Sequence, residues 1–260
     1  MIAHAALFAT LRRSLAAVLI ALPLTACVTG GNPRAPIPVV RVAAAEPTQR
    51  VVVFLPGRGD RLETLVDHRV AQRIQAAWPG TDVVLTGLTM PYYKDGHVVE
   101  KLHDEIIAPE LARHPGGVWI AGISLGGMGA IFYEHDHPGA IRGFVLFSPY
   151  LGDVGDWREV DAAGGLGAWD PGAPAPITQS TYRHELLRTL HAWAGDAARA
   201  QSVWLAYGTG KDFRATIERL TPSLPASHVL ALPGSHAWSF WDGAIEALFA
   251  RVAADAGTDP

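Results

Sequence analysis

A single cysteine and a charged fraction of only 18% set the first limits on this 260-residue chain. One cysteine cannot close an intrachain disulfide, and no Cys/His cluster has the spacing of a structural zinc site. Lys and Arg number 21 against 25 Asp and Glu, so the basic footprint of a nucleic-acid binder is missing and nucleic acid is not expected as a partner. No acidic or basic tail, polar linker or internal repeat divides the chain. What the sequence does have is apolar material. Hydrophobic residues make up 49%, which supports one sizeable core and excludes intrinsic disorder.

The chain opens with an apolar run. Arg12 and Arg13 precede Leu15–Leu24, and Thr25-Ala26-Cys27 follows, which is the layout of an export signal. At about 1.5 Å of rise per residue the run is too short to cross roughly 30 Å of hydrocarbon comfortably. Residues 1–26 are therefore read as a cleaved signal peptide. Leu24-Thr25-Ala26-Cys27 resembles the bacterial lipobox, and that resemblance implies a lipid-modified Cys27 as the membrane anchor. By the same resemblance, Val28 rather than Asp after the cysteine implies a place in the cell envelope, at the outer membrane facing the periplasm in a Gram-negative organism. Residues 27–48 mix Gly, Pro, Ala and Thr without a period and are expected to form a tether. Residues 49–260 are expected to form the folded domain.

That domain alternates short apolar runs with amphipathic segments. Strands are predicted over Arg50–Leu55, Asp82–Leu85, Gly117–Ala121, Gly143–Phe147, Ser202–Tyr207 and Val229–Leu232. Helices are predicted over Leu62–Trp78, His97–His114 with a new turn or kink at Pro109, Leu125–Glu134, and from the last strand to about Ala254. Continuous apolar strands between amphipathic helices predict an α/β fold, with a mainly parallel central sheet covered on both faces. Residues 150–181 break the alternation with Gly164-Gly165, Pro171, Pro174 and Pro176, and read as an irregular cap or lid insertion.

The chemistry centres on Gly122-Ile123-Ser124-Leu125-Gly126. The pentapeptide G-x-S-x-G is short enough to arise by chance, but here a strand leads into it and a helix leaves it. That setting is what a nucleophile elbow requires, with glycines allowing the sharp turn that exposes the serine hydroxyl. Such a hydroxyl needs a base to take its proton, and a carboxylate to hold that base in the right tautomer. His236 follows the last predicted strand through Pro233-Gly234-Ser235, and Asp212 follows the preceding one through Gly208-Thr209-Gly210-Lys211. Both lie beyond strand C-termini, where open parallel sheets place their ligand sites. The other histidines are assigned to helices or strand starts, with His135 and His137 read as an exposed pair at a helix end. For the acid, Asp153 is the rival to Asp212 and Asp156 a weaker third.

With these residues, the chain resembles an α/β-hydrolase-fold serine hydrolase. Gly122–Gly127 together with Gly234-Ser235-His236-Ala237-Trp238-Ser239-Phe240-Trp241 resembles the putative-esterase branch related to esterase D. The resemblance covers roughly Arg50 to Ala254 and implies the order Ser124, Asp212, His236. Trp238 and Trp241 are read as core aromatics. An oxyanion hole is expected from the backbone N–H of Leu125 and from the loop Pro56-Gly57-Arg58-Gly59-Asp60, with the Arg58 amide as second donor. Pro56-Gly57 stands where many relatives have His-Gly. The Arg58 side chain is left free to bind an acidic substrate group or to pair with Asp60.

The expected reaction is cleavage of a small-molecule or lipid-like carboxylic ester through an acyl-Ser124 intermediate, with neither metal nor cofactor. The same triad would serve a thioesterase, a peptidase or an acyltransferase. A different class of reading is a non-catalytic envelope lipoprotein on the same fold.

Overall fold

The computed structural model describes residues 31–256. The expected signal segment and Cys27 lie outside them. Seven strands form one sheet: β1 (Val39–Val42), β2 (Arg50–Leu55), β3 (Asp82–Thr86), β4 (Gly117–Ile123), β5 (Gly143–Phe147), β6 (Val203–Gly208) and β7 (Val229–Leu232). Their spatial order is β1-β3-β2-β4-β5-β6-β7. β1 runs antiparallel to β3, and every other pair is parallel.

The central strands are apolar throughout because both faces are covered. In β2, Val51, Val53 and Leu55 enter one core and Val52 and Phe54 the other. The second core is closed by α1 (Leu62–Asp67), α2 (Val70–Ala77) and the C-terminal helix Trp238–Ala256. The first is closed by the helices between β3 and β7. These are α3 (Met90–Asp95), α4 (Val98–Leu102), α5 (Ala108–Arg113), α6 (Leu125–Asp136), α7 (Arg158–Ala163), α8 (Tyr182–Gly195), α9 (Ala197–Ala200) and α10 (Arg214–Leu220). The C-terminal helix is α11.

Several expectations change. The helix expected over Leu62–Trp78 breaks in two, because Arg69 sits in the left-handed region at φ 53°. The segment around Pro109 stays helical by widening into a π turn over His103–Ile107 just before α5, where the proline lacks an N–H to donate. Residues 31–48 do not hang free as a tether. Gly31 N–H donates to Thr89 Oγ1 at 3.1 Å, Ile37 N–H to Glu105 Oε2 at 2.7 Å, and Val39–Val42 adds the antiparallel edge strand. The expected cap is ordered as a 3₁₀ turn (Val154–Trp157), α7 and a second 3₁₀ turn (Leu166–Ala168). Trp157, Val160, Leu166 and Trp169 of this insertion are buried in the first core. The Trp157 indole donates to the Leu151 carbonyl at 2.8 Å.

Candidate active site

Ser124 joins β4, the middle strand, to α6. Its backbone has φ 51° and ψ −109°, a region that costs a non-glycine residue about 1–3 kcal/mol. The end of β5 and the segment after it hold it there, since Ser124 N–H donates to the Phe147 carbonyl at 2.9 Å and the Ser124 carbonyl accepts from Tyr150 N–H at 3.0 Å. Gly126 is required by close approach: a Cβ would lie 2.3 Å from the Leu55 carbonyl oxygen and 2.8 Å from that of Pro56. The end of β2 therefore passes directly against the first turn of α6. The Ser124 hydroxyl makes no capping bond to that helix.

It meets His236 instead. The imidazole Nε2 lies 2.9 Å from Ser124 Oγ. His236 is presented by the turn between β7 and α11, whose Gly234 carbonyl accepts from Gly210 N–H at 2.8 Å in the loop after β6. Those loops fit only because Gly210 has no side chain, a Cβ there falling 2.7 Å from the Gly234 oxygen. Phe213 and Trp241 flank the imidazole, with ring centroids at 4.7 and 5.0 Å. This burial pushes the His236 pKa below its ordinary value, and the charges of Asp212 and Asp60 oppose the shift.

The expected acid is near but not bonded. Asp212 lies exposed on the loop after β6, and the buried Nδ1 of His236 has no hydrogen-bond partner. The Asp212 charge nonetheless favours the protonated imidazole, ahead of that of Asp60. Asp153 and Asp156 belong to the cap: Asp156 Oδ2 accepts from Asp153 N–H at 2.7 Å and pairs with Arg183 Nε at 3.2 Å.

The two amides expected to form an oxyanion hole can be placed from their neighbours. Leu125 is the first residue of α6, so its N–H has no helical acceptor. In the loop after β2, Gly57 N–H donates to Asp60 Oδ2 and Asp60 N–H to the Gly57 carbonyl, both at 3.1 Å, leaving Arg58 N–H outside this closed turn. The Arg58 side chain is exposed, and both Asp60 oxygens are engaged by other donors. The second Asp60 oxygen accepts from Trp238 Nε1 at 2.8 Å. That contact was not legible in the sequence, where Trp238 reads as a core aromatic; it is half-buried, while Trp241 is in the core.

The competing histidines have other tasks. His228 is buried, stacked on Trp204 with centroids 3.6 Å apart. His135 and His137 are half-buried rather than an exposed pair, the first on Glu185 at 3.1 Å and the second stacked on His103. Among the described residues no group of three or more His, Cys, Asp or Glu is arranged to hold a metal ion.

No protein-family model matches the chain, and no curated protein does. Solved structures do. A monoacylglycerol lipase from Paleococcus ferrophilus aligns over 84% of this chain and 100% of its own at 18% identity, with a TM-score of 0.52. A ferulic acid esterase aligns over 84% and 98% at 15% identity and a TM-score of 0.57. The S-formylglutathione hydrolase of Staphylococcus aureus aligns over 78% and 80% at 14% identity and a TM-score of 0.52. With the strand order above, these likenesses decide the architecture. The fold is that of the α/β-hydrolases. In that fold Ser124 occupies the turn after the central strand, and Asp212 and His236 follow the last two strands.

Proposed function

We propose that this α/β-hydrolase-fold protein is a serine hydrolase that cleaves carboxylic esters through an acyl-Ser124 intermediate. The observation that carries the reading is the 2.9 Å contact between Ser124 Oγ and His236 Nε2 on a positive-φ elbow. Fold likeness to esterases and lipases supports the reaction class.

Ser124 Oγ attacks the ester carbonyl as its proton passes to His236 Nε2. The carbonyl oxygen becomes an oxyanion, stabilised by the N–H groups of Leu125 and Arg58. As the tetrahedral intermediate collapses, the imidazolium gives its proton to the departing alcohol and leaves Ser124 acylated. Water then attacks, delivers a proton to His236, and the acid is released with the proton returned to Ser124. Asp212 is assigned as the carboxylate that receives Nδ1–H; the unpartnered nitrogen and the adjacent Asp212 charge support that choice. A fluorophosphonate probe together with a panel of esters of graded acyl length tests the reading, with Ser124→Ala as control.

We also propose that Cys27 carries lipid and anchors the protein in the cell envelope, on the strength of the Leu24–Cys27 pattern. The placement of Gly31 bears on the consequence. It is bonded to Thr89, just beyond the C-terminal end of β3, the same sheet edge that carries Ser124. With only residues 28–30 between the lipid and this docked point, the catalytic edge is held close to the bilayer, where lipid-like acyl esters are presented.

A further inference from the structure

The two loops that must cooperate in acyl transfer come from opposite ends of the domain sequence. The loop after β2 carries the Arg58 amide, and the turn before α11 carries His236. A single carboxylate joins them. Asp60 accepts from Gly57 N–H through Oδ2, closing the turn around Arg58, and from Trp238 Nε1 through Oδ1, across 178 residues of sequence.

The indole is itself held. Its ring stacks on His68 with centroids 3.9 Å apart and planes 14° apart. His68 Nδ1 lies 3.1 Å from Asp242 Oδ1, one turn further along the helix that Trp238 begins. Trp238 also meets Trp241 edge-on at 5.5 Å, and Trp241 in turn meets the His236 ring. Trp238 is thus in contact with two rings, with its one polar side-chain atom spent on Asp60.

We infer that Asp60 and Trp238 are positioning residues that lock the oxyanion loop in register with the catalytic-histidine loop. Two features of the bonding support this role. A carboxylate accepting at both oxygens holds its two donors at a fixed mutual distance. An indole has only one N–H, and Trp238 gives it to Asp60, so losing that bond leaves the indole no second donor with which to hold the loop. Neither residue need touch the ester. Oxyanion stabilisation depends on donors being fixed before charge develops, so a loosened Arg58 turn lowers turnover more than substrate binding.

The inference rests on the hydrolase reading above, and the test separates the two. Trp238→Phe keeps a ring against His68 and Trp241 but removes the donor. Asp60→Asn keeps an oxygen that can accept the indole proton but cannot accept at both atoms. For each variant that matches wild type in thermal unfolding, kcat and KM are measured on one ester, with the affinity for a trifluoromethyl ketone, which forms an oxyanion at Ser124. The expected result is a fall in kcat of about tenfold or more with KM within about twofold, and a parallel loss of ketone affinity. Asp60→Asn should also lower the acid limb of the kcat/KM profile, because it removes a charge that His236 feels, whereas Trp238→Phe should leave that limb in place. Wild-type kcat and ketone affinity in both variants, or a change confined to KM, would overturn the latch while leaving the hydrolase intact. A wild-type protein that neither hydrolyses esters nor accepts a fluorophosphonate would overturn the hydrolase reading and the latch with it.

Discussion

Ser124 Oγ and His236 Nε2 stand 2.9 Å apart across 112 residues of sequence. The serine is fixed by a strained elbow bonded to the segment after β5, and the histidine by a turn whose glycine contacts allow no side chain. The pair is therefore set by backbone geometry on both sides.

Burial of His236 has a consequence for pH. In the proposed mechanism the neutral imidazole is the base, and desolvation disfavours the imidazolium, so the neutral form persists to lower pH than for an ordinary histidine. The acid limb of kcat/KM is expected below the ordinary histidine value, and Asp212→Asn should move it lower still by removing a stabilising negative charge. A limb at or above the ordinary value would contradict this.

The proposed assignment of Asp212 as the acid draws on the same environment. Asp212 acts on the imidazole, whereas Asp153 opens the capped turn of the insertion. Asp212→Asn is expected to lower kcat by several orders of magnitude, on the scale of about 10⁴ seen for triad carboxylates, and Asp153→Asn to stay within about tenfold of wild type. The opposite ranking on one ester substrate would move the role to Asp153.

The insertion should behave as core. Trp157 is fully buried and its indole is bonded to the Leu151 carbonyl. Trp157→Ala is expected to destabilise the domain by about 3–5 kcal/mol, measured by urea unfolding. A loss below about 1 kcal/mol would show that residues 150–181 fold independently of the sheet.

Much of this architecture was legible because the central strands are covered on both faces and so form unbroken apolar runs, and because the elbow needs its glycines in fixed places. β1 was hidden for the opposite reason: as an edge strand it is largely half-exposed, and Pro36 and Pro38 just before it suggest a linker. The break at Arg69 gave no glycine or proline signal. The Asp60–Trp238 bond has no local pattern at all, since it arises only when the loop after β2 meets the segment after the last strand. Asp212 was readable as following β6, yet its distance from Nδ1 depends on the loop conformation, which sequence spacing does not set.

Lipid anchoring at Cys27 is testable in a bacterial host. The full chain should partition with membranes and incorporate an alkyne-labelled palmitate, and Cys27→Ser should abolish both. Label retained in Cys27→Ser, or absent from the wild type, would contradict the anchor.

The central claim is that Ser124 is an activated nucleophile. It is tested most directly by treating the folded wild type and Ser124→Ala with a fluorophosphonate and locating the adduct by mass spectrometry. The account predicts stoichiometric labelling at Ser124 alone, with loss of ester hydrolysis in step, and neither labelling nor turnover in Ser124→Ala. An unlabelled wild type, or a Ser124→Ala variant with near wild-type hydrolysis, would contradict it.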